Sequence, residues 1–201
     1  VNYDLKVFES VAKLSEYFAQ LLIDKINRSK KKFHIALSGG STPKSIFEYF
    51  AANHQNTIDW HRVNFFWGDE RCVPPTDSES NYKMAYDTLL SKLQIPALNI
   101  FRIQGENDST DEAKRYSELI KKILPQKNEL PRFDLLMLGL GEDGHTASIF
   151  PNQKSLLSLD KIYATAIHHV SGQTRITLTG KVINNASIIM FIATGKNKLK
   201  V

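Results

Sequence analysis

The chain has 201 residues, 42% of them hydrophobic and 23% charged, a balance that suits one sizeable α/β domain and excludes a disordered or collagen-like polymer. Apolar residues come in short blocks, none near the roughly 18 to 20 needed to span a bilayer, so no membrane association is expected. A net charge of +5 suits anionic substrates generally, and no aromatic-studded basic face points to nucleic acid.

Residues 5–8 read as a short strand, without the basic-then-apolar pattern of a signal peptide. Ser10 then opens a helix to about Asn27, in which Val11, Leu14, Phe18, Leu21 and Leu22 recur at helical spacing. Lys30-Lys31-Lys32 reads as the solvated end of that helix, where cations complement the dipole. A second strand over 33–37 runs into Ser38-Gly39-Gly40-Ser41-Thr42-Pro43, and Ile46, Phe47 and Phe50 mark the next helix, with Pro43 in its first turn. Glycines let backbone amides converge and hydroxyls stand beside a helix N-terminus, so Ser38, Gly39, Gly40, Ser41 and Thr42 are candidate phosphate ligands. A plain turn with Thr42 as N-cap explains the same residues. The Lys-Ser/Thr ending of a nucleotide-binding loop is missing, which argues against a nucleoside triphosphate.

A third strand over 63–67 ends in Gly68-Asp69-Glu70-Arg71-Cys72-Val73-Pro74-Pro75. Arg71 suits a forked contact with phosphate or carboxylate, and Asp69 and Glu70 are placed to orient it or to handle protons; a structural ion pair is the alternative. Cys72, the single cysteine, forms no intramolecular disulfide and fits a reducing compartment. Arg71 beside it would favour a reactive thiolate, but an inert small residue at a strand end is the simpler reading. Ser78-Glu79-Ser80-Asn81-Tyr82 leads into a helix to about Leu90, and a fourth strand over 98–103, a polar loop at 105–108 and a helix from about Thr110 to Leu124 follow. Residues 125–131 connect to the stretch around which the chain is organised.

There a buried strand over 135–138 stops at Gly139-Leu140-Gly141-Glu142-Asp143-Gly144-His145. Ligands of open parallel sheets bind beyond the carboxyl ends of the strands, so Glu142, Asp143 and His145 fall where chemistry is done. The three glycines, with Asp160 further on, also satisfy the dinucleotide fingerprint, but Glu142 and Asp143 would set two negative charges at the seat of the pyrophosphate. A carboxylate two residues before a histidine, with glycine between, suits general-base work in which Asp143 orients His145. A capping or hydrogen-bonded loop histidine is the alternative. Another strand over 161–167 precedes His168 and His169, which on an extended chain would point to opposite faces, so no metal ligand set is expected. Residues 175–179 form a short strand entering a helix to about Asn185, and 188–193 a buried strand reaching Thr194-Gly195-Lys196-Asn197-Lys198. A strand, glycine and basic turn ought to open a helix, so a further C-terminal segment is expected to help cover the sheet. The alternation predicts a three-layer Rossmann-like α/β fold, one domain over 1–201, with a mainly parallel central sheet flanked by helices. The ends of the strands near 34–37, 63–67 and 134–138 should meet in one pocket.

Taken together, these motifs resemble the 6-phosphogluconolactonase family, within the wider group that includes glucosamine-6-phosphate deaminases. The matching pieces are residues 37–43, 67–74 with Ser80-Asn81-Tyr82, 139–151, and Arg175-Ile176-Thr177-Leu178-Thr179, in the expected order. The resemblance implies cytoplasmic hydrolysis of 6-phospho-D-glucono-1,5-lactone in the oxidative pentose phosphate pathway, without metal or organic cofactor. Its expected partner is that small sugar-phosphate lactone, with neither nucleic acid nor membrane, and its assembly a monomer or small homo-oligomer. In this picture His145 deprotonates a water, Asp143 orients His145, Asp69 handles protons, and backbone amides of the glycine loops stabilise the oxyanion. Ser38 to Thr42, Arg71, Arg175 and a tail lysine, Lys198 or Lys196, hold the phosphate. The family usually carries prolines just before the arginine of its Arg-Ile-Thr-Leu-Thr motif, whereas Ser171-Gly172-Gln173-Thr174 precedes Arg175 here. The deaminases carry a glutamate five positions after the loop histidine and a tyrosine after Asp-Glu. Phe150 and Arg71 stand in those places, which favours a lactonase over a deaminase or isomerase using Asp69 as proton shuttle. Intact Asp143 and His145 argue against a non-catalytic sugar-phosphate sensor.

Overall fold

The computed structural model describes residues 3–198. Helix α1 (Val11–Arg28) begins where the Ser10 hydroxyl accepts from the Lys13 amide at 3.3 Å, and it ends with Lys25 and Arg28 complementing the dipole. Ahead of it, residues 3–8 pair with no strand. Leu5 and Val7 are 76% and 87% exposed, so an alternating pattern without a sheet edge to bury it does not become a strand.

The central sheet is built from β1 (Phe33–Leu37), β2 (Val63–Trp67), β6 (Leu135–Gly139) and β9 (Ile189–Ile192), all parallel, in the order β2-β1-β6-β9. These are the four expected strands. Every residue of β1 and β2 is buried, as required of parallel strands covered on both faces. On one face Phe65 meets Trp60, Trp60 meets Phe50 and Phe50 meets Phe18, at ring separations of 6.1, 6.2 and 6.2 Å, which joins β2 to α2 (Ser41–Asn53) and α1. On the other, Phe66 stacks on Phe101 at 4.9 Å and meets Phe133 edge-on at 5.6 Å.

A second, antiparallel sheet holds β3 (Asp69–Arg71), β8 (Thr174–Leu178) and β7 (Tyr163–Ile167), in the order β3-β8-β7. The polar stretch after β2, expected as a loop, is therefore partly strand. Gly68 hands the chain from one sheet to the other: its amide donates to the Leu37 carbonyl at 2.9 Å and its carbonyl accepts from the Leu178 amide at 2.8 Å. The handover is anchored by two buried tyrosines. Tyr163 donates its hydroxyl to the Trp67 carbonyl at 2.7 Å; Tyr116, on α4 (Ser109–Ile123), donates to the Phe101 carbonyl at 2.6 Å. Between the sheets in sequence, α3 (Asn81–Ala85) continues as a π-helical turn over Tyr86–Leu90.

The expected strand over 98–103 shrinks to a single bridge between Ile100 and Phe65, because a 3₁₀ turn over Ala97–Asn99 delivers the chain obliquely. The connection at 125–131 contains a small hairpin, β4 (Gln126–Lys127) and β5 (Leu130–Pro131), whose turn residues Asn128 and Glu129 have φ of 54° and 63°. Helix α5 (Gly180–Asn185) follows β8 as expected. After β9 the basic turn closes as a 3₁₀ segment over Lys196–Lys198, and the helix expected beyond it lies outside the described residues. No helix among the described residues is long and apolar enough to cross a membrane.

Candidate active site

The carboxyl ends of β1, β2 and β6 converge on a cleft of about 170 Å³ whose remaining wall comes from β3 and β8. After β1, Ser38, Gly39 and Gly40 line it, and α2 starts at once with Gly40 as N-cap at φ 105°. Thr42 is therefore not the cap. Its hydroxyl lies 2.6 Å from that of Thr194, past the end of β9, and neither Ser41 nor Thr42 lines the cleft. Gly39 is required sterically: a Cβ there would stand 1.8 Å from Asn81 Oδ1.

Strand β3 sorts its side chains by alternation. Glu70 points away from the cleft and accepts from the amides of Asn81, Tyr82 and Arg71 at 2.7, 2.7 and 2.8 Å, so it anchors the start of α3 and handles no substrate proton. Burial pushes its carboxyl above the usual range, against those three amide bonds. Asp69 and Arg71 face the cleft. Asp69 is buried, with Oδ2 accepting from Ser148 Oγ at 2.7 Å and Oδ1 from Asn81 Nδ2 at 3.4 Å.

The β3–β8 register sets Arg71 directly opposite Arg175. Arg71 Nη1 donates to the Glu79 carbonyl, its Nε is buried without a partner, and Arg175 Nε donates to Gln173 Oε1 at 3.1 Å over the Phe150 ring. Neither guanidinium is in an ion pair among the described residues, although Asp69, Glu79 and Asp143 attract Arg175 at longer range. Burial first, and the charge of Arg71 second, push the Arg175 pKa down. Like charges facing each other across strands are unfavourable, and an anion seated between them would relieve the repulsion.

The loop after β6 folds onto itself. The Gly141 amide donates to the His145 carbonyl at 2.7 Å, and Gly144 takes φ 86°. Asp143 Oδ1 thereby accepts from the His145 amide at 3.2 Å and lies 2.5 Å from Nδ1. A carboxylate on Nδ1 places the proton there and leaves Nε2 as the free base. Burial raises the Asp143 carboxyl, but the hydrogen bonds from the His145 amide and ring outweigh it and hold the group below its ordinary value. A Cβ on Gly141 would stand 2.1 Å from His145 Nδ1 and 2.6 Å from Asp143 Oδ1. Gly141→Ala should therefore lower turnover by about tenfold or more, because sub-ångström misplacement of a base is expensive in rate, while circular dichroism stays native. Wild-type turnover in that variant would show that the pair tolerates displacement.

No helix opens after this loop: residues 146–149 close a β-bridge and a 3₁₀ segment follows, so the dinucleotide fingerprint lacks its helix N-terminus. Glu142 is exposed and outside the cleft. Phe150, at the position where the deaminases carry glutamate, is fully buried with its ring 5.0 Å from that of His145. His168 and His169 do not splay. The strand ends at Ile167, the chain turns, and their rings stack 5.2 Å apart. Among the described residues no group of three or more His, Cys, Asp or Glu could hold a metal ion.

Of the residues singled out in the sequence, Ser38, Gly39, Gly40, Asp69, Arg71, His145 and Arg175 line one cleft, with Asp143 behind His145; Ser41, Thr42, Lys196 and Lys198 do not. Asn81 lines it unforeseen, although it lies in a quoted motif. A larger hollow of about 660 Å³ opens at the opposite end of the strands among Lys30, Lys31, Lys32, His34 and Asp134, but the histidine–carboxylate pair and the facing arginines are all in the smaller cleft. Burial first, then Glu70, Asp108 and Glu112, push the Cys72 thiol up to about 11, which disfavours the reactive thiolate. Activity should survive iodoacetamide at neutral pH with Cys72 unmodified by mass spectrometry; rapid alkylation with loss of activity would contradict this.

The family model described as glucosamine-6-phosphate isomerases/6-phosphogluconolactonase matches residues 7–201. The chain is 39% identical over 192 residues to the 6-phosphogluconolactonase of Treponema pallidum, covering 96% of this chain and 79% of that one. It is 42% identical over 188 residues to that of Haemophilus influenzae, covering 90% and 79%. Among solved structures it is similar to the 6-phosphogluconolactonase of Trypanosoma brucei, with a TM-score of 0.88 and 30% identity over 96% of this chain and 82% of that one.

Proposed function

The chain belongs to the glucosamine-6-phosphate isomerase/6-phosphogluconolactonase family, and we propose that its cleft hydrolyses 6-phospho-D-glucono-1,5-lactone to 6-phosphogluconate, a step of the oxidative pentose phosphate pathway. The observation that carries the reading is that one cleft joins an Asp143–His145 pair to two facing arginines that, among the described residues, form no ion pair. The lactone needs both: a base for water at one end and a cationic seat for a phosphate dianion at the other.

His145 Nε2 takes a proton from water as the water oxygen bonds to the lactone carbonyl carbon, and the carbonyl electrons move onto oxygen. Backbone amides of the loop after β6 hold that oxyanion, while the Gly141 amide stays on the His145 carbonyl. Collapse restores the carbonyl, breaks the bond to the ring oxygen and returns the proton from His145 to it. Asp143 keeps the imidazole in its Nδ1–H tautomer and steadies the imidazolium between the two transfers. Arg71 and Arg175, with Ser38, Gly39 and Gly40, grip the phosphate. Asp69, with both oxygens already engaged by Ser148 and Asn81, holds the cleft wall.

Two features support a lactonase over an amino-sugar deaminase. Phe150 places an apolar ring where that chemistry has glutamate, and Asp69 is tied down. A cytoplasmic setting fits the free thiol of Cys72. The test is a pair of assays on one preparation: freshly generated 6-phosphogluconolactone, corrected for spontaneous hydrolysis, and ammonia release from glucosamine 6-phosphate. Lactone hydrolysis without ammonia is expected; the reverse would overturn the reading.

A further inference from the structure

The hairpin between β7 and β8 closes tightly beside the Asp143–His145 loop, with the His168 ring 6.5 Å from that of His145. The His168 amide donates to the Gln173 carbonyl at 2.9 Å, the Gly172 amide donates to the His168 carbonyl at 2.8 Å, and Gly172 takes φ 69°. The Ser171 amide donates to His168 Nδ1 at 3.1 Å, so that nitrogen carries a lone pair and the proton sits on Nε2. Burial first, then Arg175, His169 and His145, hold the His168 pKa below its ordinary value. His169 stacks on this fixed ring with 29° between planes, and its other ring neighbour is Phe150 at 6.1 Å.

So placed, His169 Nδ1 lies 3.6 Å from Asp143 Oδ2. That oxygen is buried and has no hydrogen-bond partner. A buried carboxylate oxygen left unpaired is a standing penalty, and a donor stands a small side-chain movement away. We propose that His169 is a positioning residue: in the working enzyme its Nδ1–H donates to Asp143 Oδ2, which leaves Oδ1 held on His145 Nδ1. With both oxygens engaged, the carboxylate cannot rotate and Nε2 keeps its aim into the cleft. The kinetic part of this proposal rests on the lactonase reading; the hydrogen bond itself does not.

The experiment compares wild type, His169→Ala and His169→Asn in the full chain. Asparagine suits the rescue because its amide nitrogen can stand where imidazole Nδ1 stands. His169→Ala should lower kcat roughly three- to tenfold, the worth of one ordinary net hydrogen bond, with KM unchanged, and His169→Asn should recover most of the loss. Proton NMR without substrate supplies the second readout: a downfield imidazole N–H resonance, assigned to His145 by its absence from His145→Ala. It should broaden in His169→Ala and sharpen again in His169→Asn. A kcat and resonance both unchanged in His169→Ala would overturn the proposal, as would a fall in kcat with an unchanged resonance, since that marks contact with substrate. If wild type does not hydrolyse the lactone at all, the substrate reading fails and the resonance alone decides this one.

Discussion

His145→Ala should lower kcat for 6-phosphogluconolactone by a factor of about 10² to 10⁴ and leave KM close to wild type, the signature of an interaction made in the transition state. The expectation follows from geometry: Nδ1 is committed to Asp143 at 2.5 Å, so Nε2 is the free base, and among the described residues His145 is the one histidine that lines the cleft. Asp143→Asn should cost as much or somewhat less, because the imidazole remains but its tautomer is no longer enforced. The pH dependence has a definite sign. The Asp143 carboxyl is held below its ordinary value, so it stays ionised while an imidazole titrates. Activity should therefore fall on acidification, because a general base acts only in its unprotonated form. Stopped corrections for spontaneous hydrolysis are essential, and near-native kcat in His145→Ala would remove the general base from the account.

Arg71→Ala should raise KM for the phosphorylated lactone roughly ten- to a hundredfold, the range expected for lost hydrogen bonds to a charged group, while KM for unphosphorylated gluconolactone barely moves. The paired substrates separate phosphate recognition from chemistry. Arg71 faces Arg175 across β3 and β8, and among the described residues neither is in an ion pair, an arrangement that suits a dianion between them. Equal losses on both lactones would place Arg71 elsewhere in the reaction.

The central strands were legible because parallel strands buried on both faces read as short, uninterrupted apolar runs, and the Asp143–His145 pair because its geometry is local, two residues apart across a glycine. What escaped depends on partners distant in sequence. Asp69-Glu70-Arg71 has poor strand propensity and becomes β3 only because Gly68 passes the chain to β8. Residues 5–8 have the strand pattern and no edge to join. Thr42 looks like a cap beside a proline, yet Gly40 takes the cap at positive φ and Thr42 turns to Thr194. The histidine pair at 168–169 was read as extended chain, where alternation separates neighbours; a turn at Gly172 stacks them instead. Asn81 reaches the cleft only because α3 is drawn in by Glu70, a contact eleven residues apart in sequence.

A crystal structure of the protein with 6-phosphogluconate bound tests most directly whether the substrate lies in this one cleft in this one orientation. The phosphate should lie between the Arg71 and Arg175 guanidiniums, with the C1 carboxylate within hydrogen-bond distance of His145 Nε2. A phosphate bound away from both arginines, or a C1 carboxylate pointing away from His145, would contradict it.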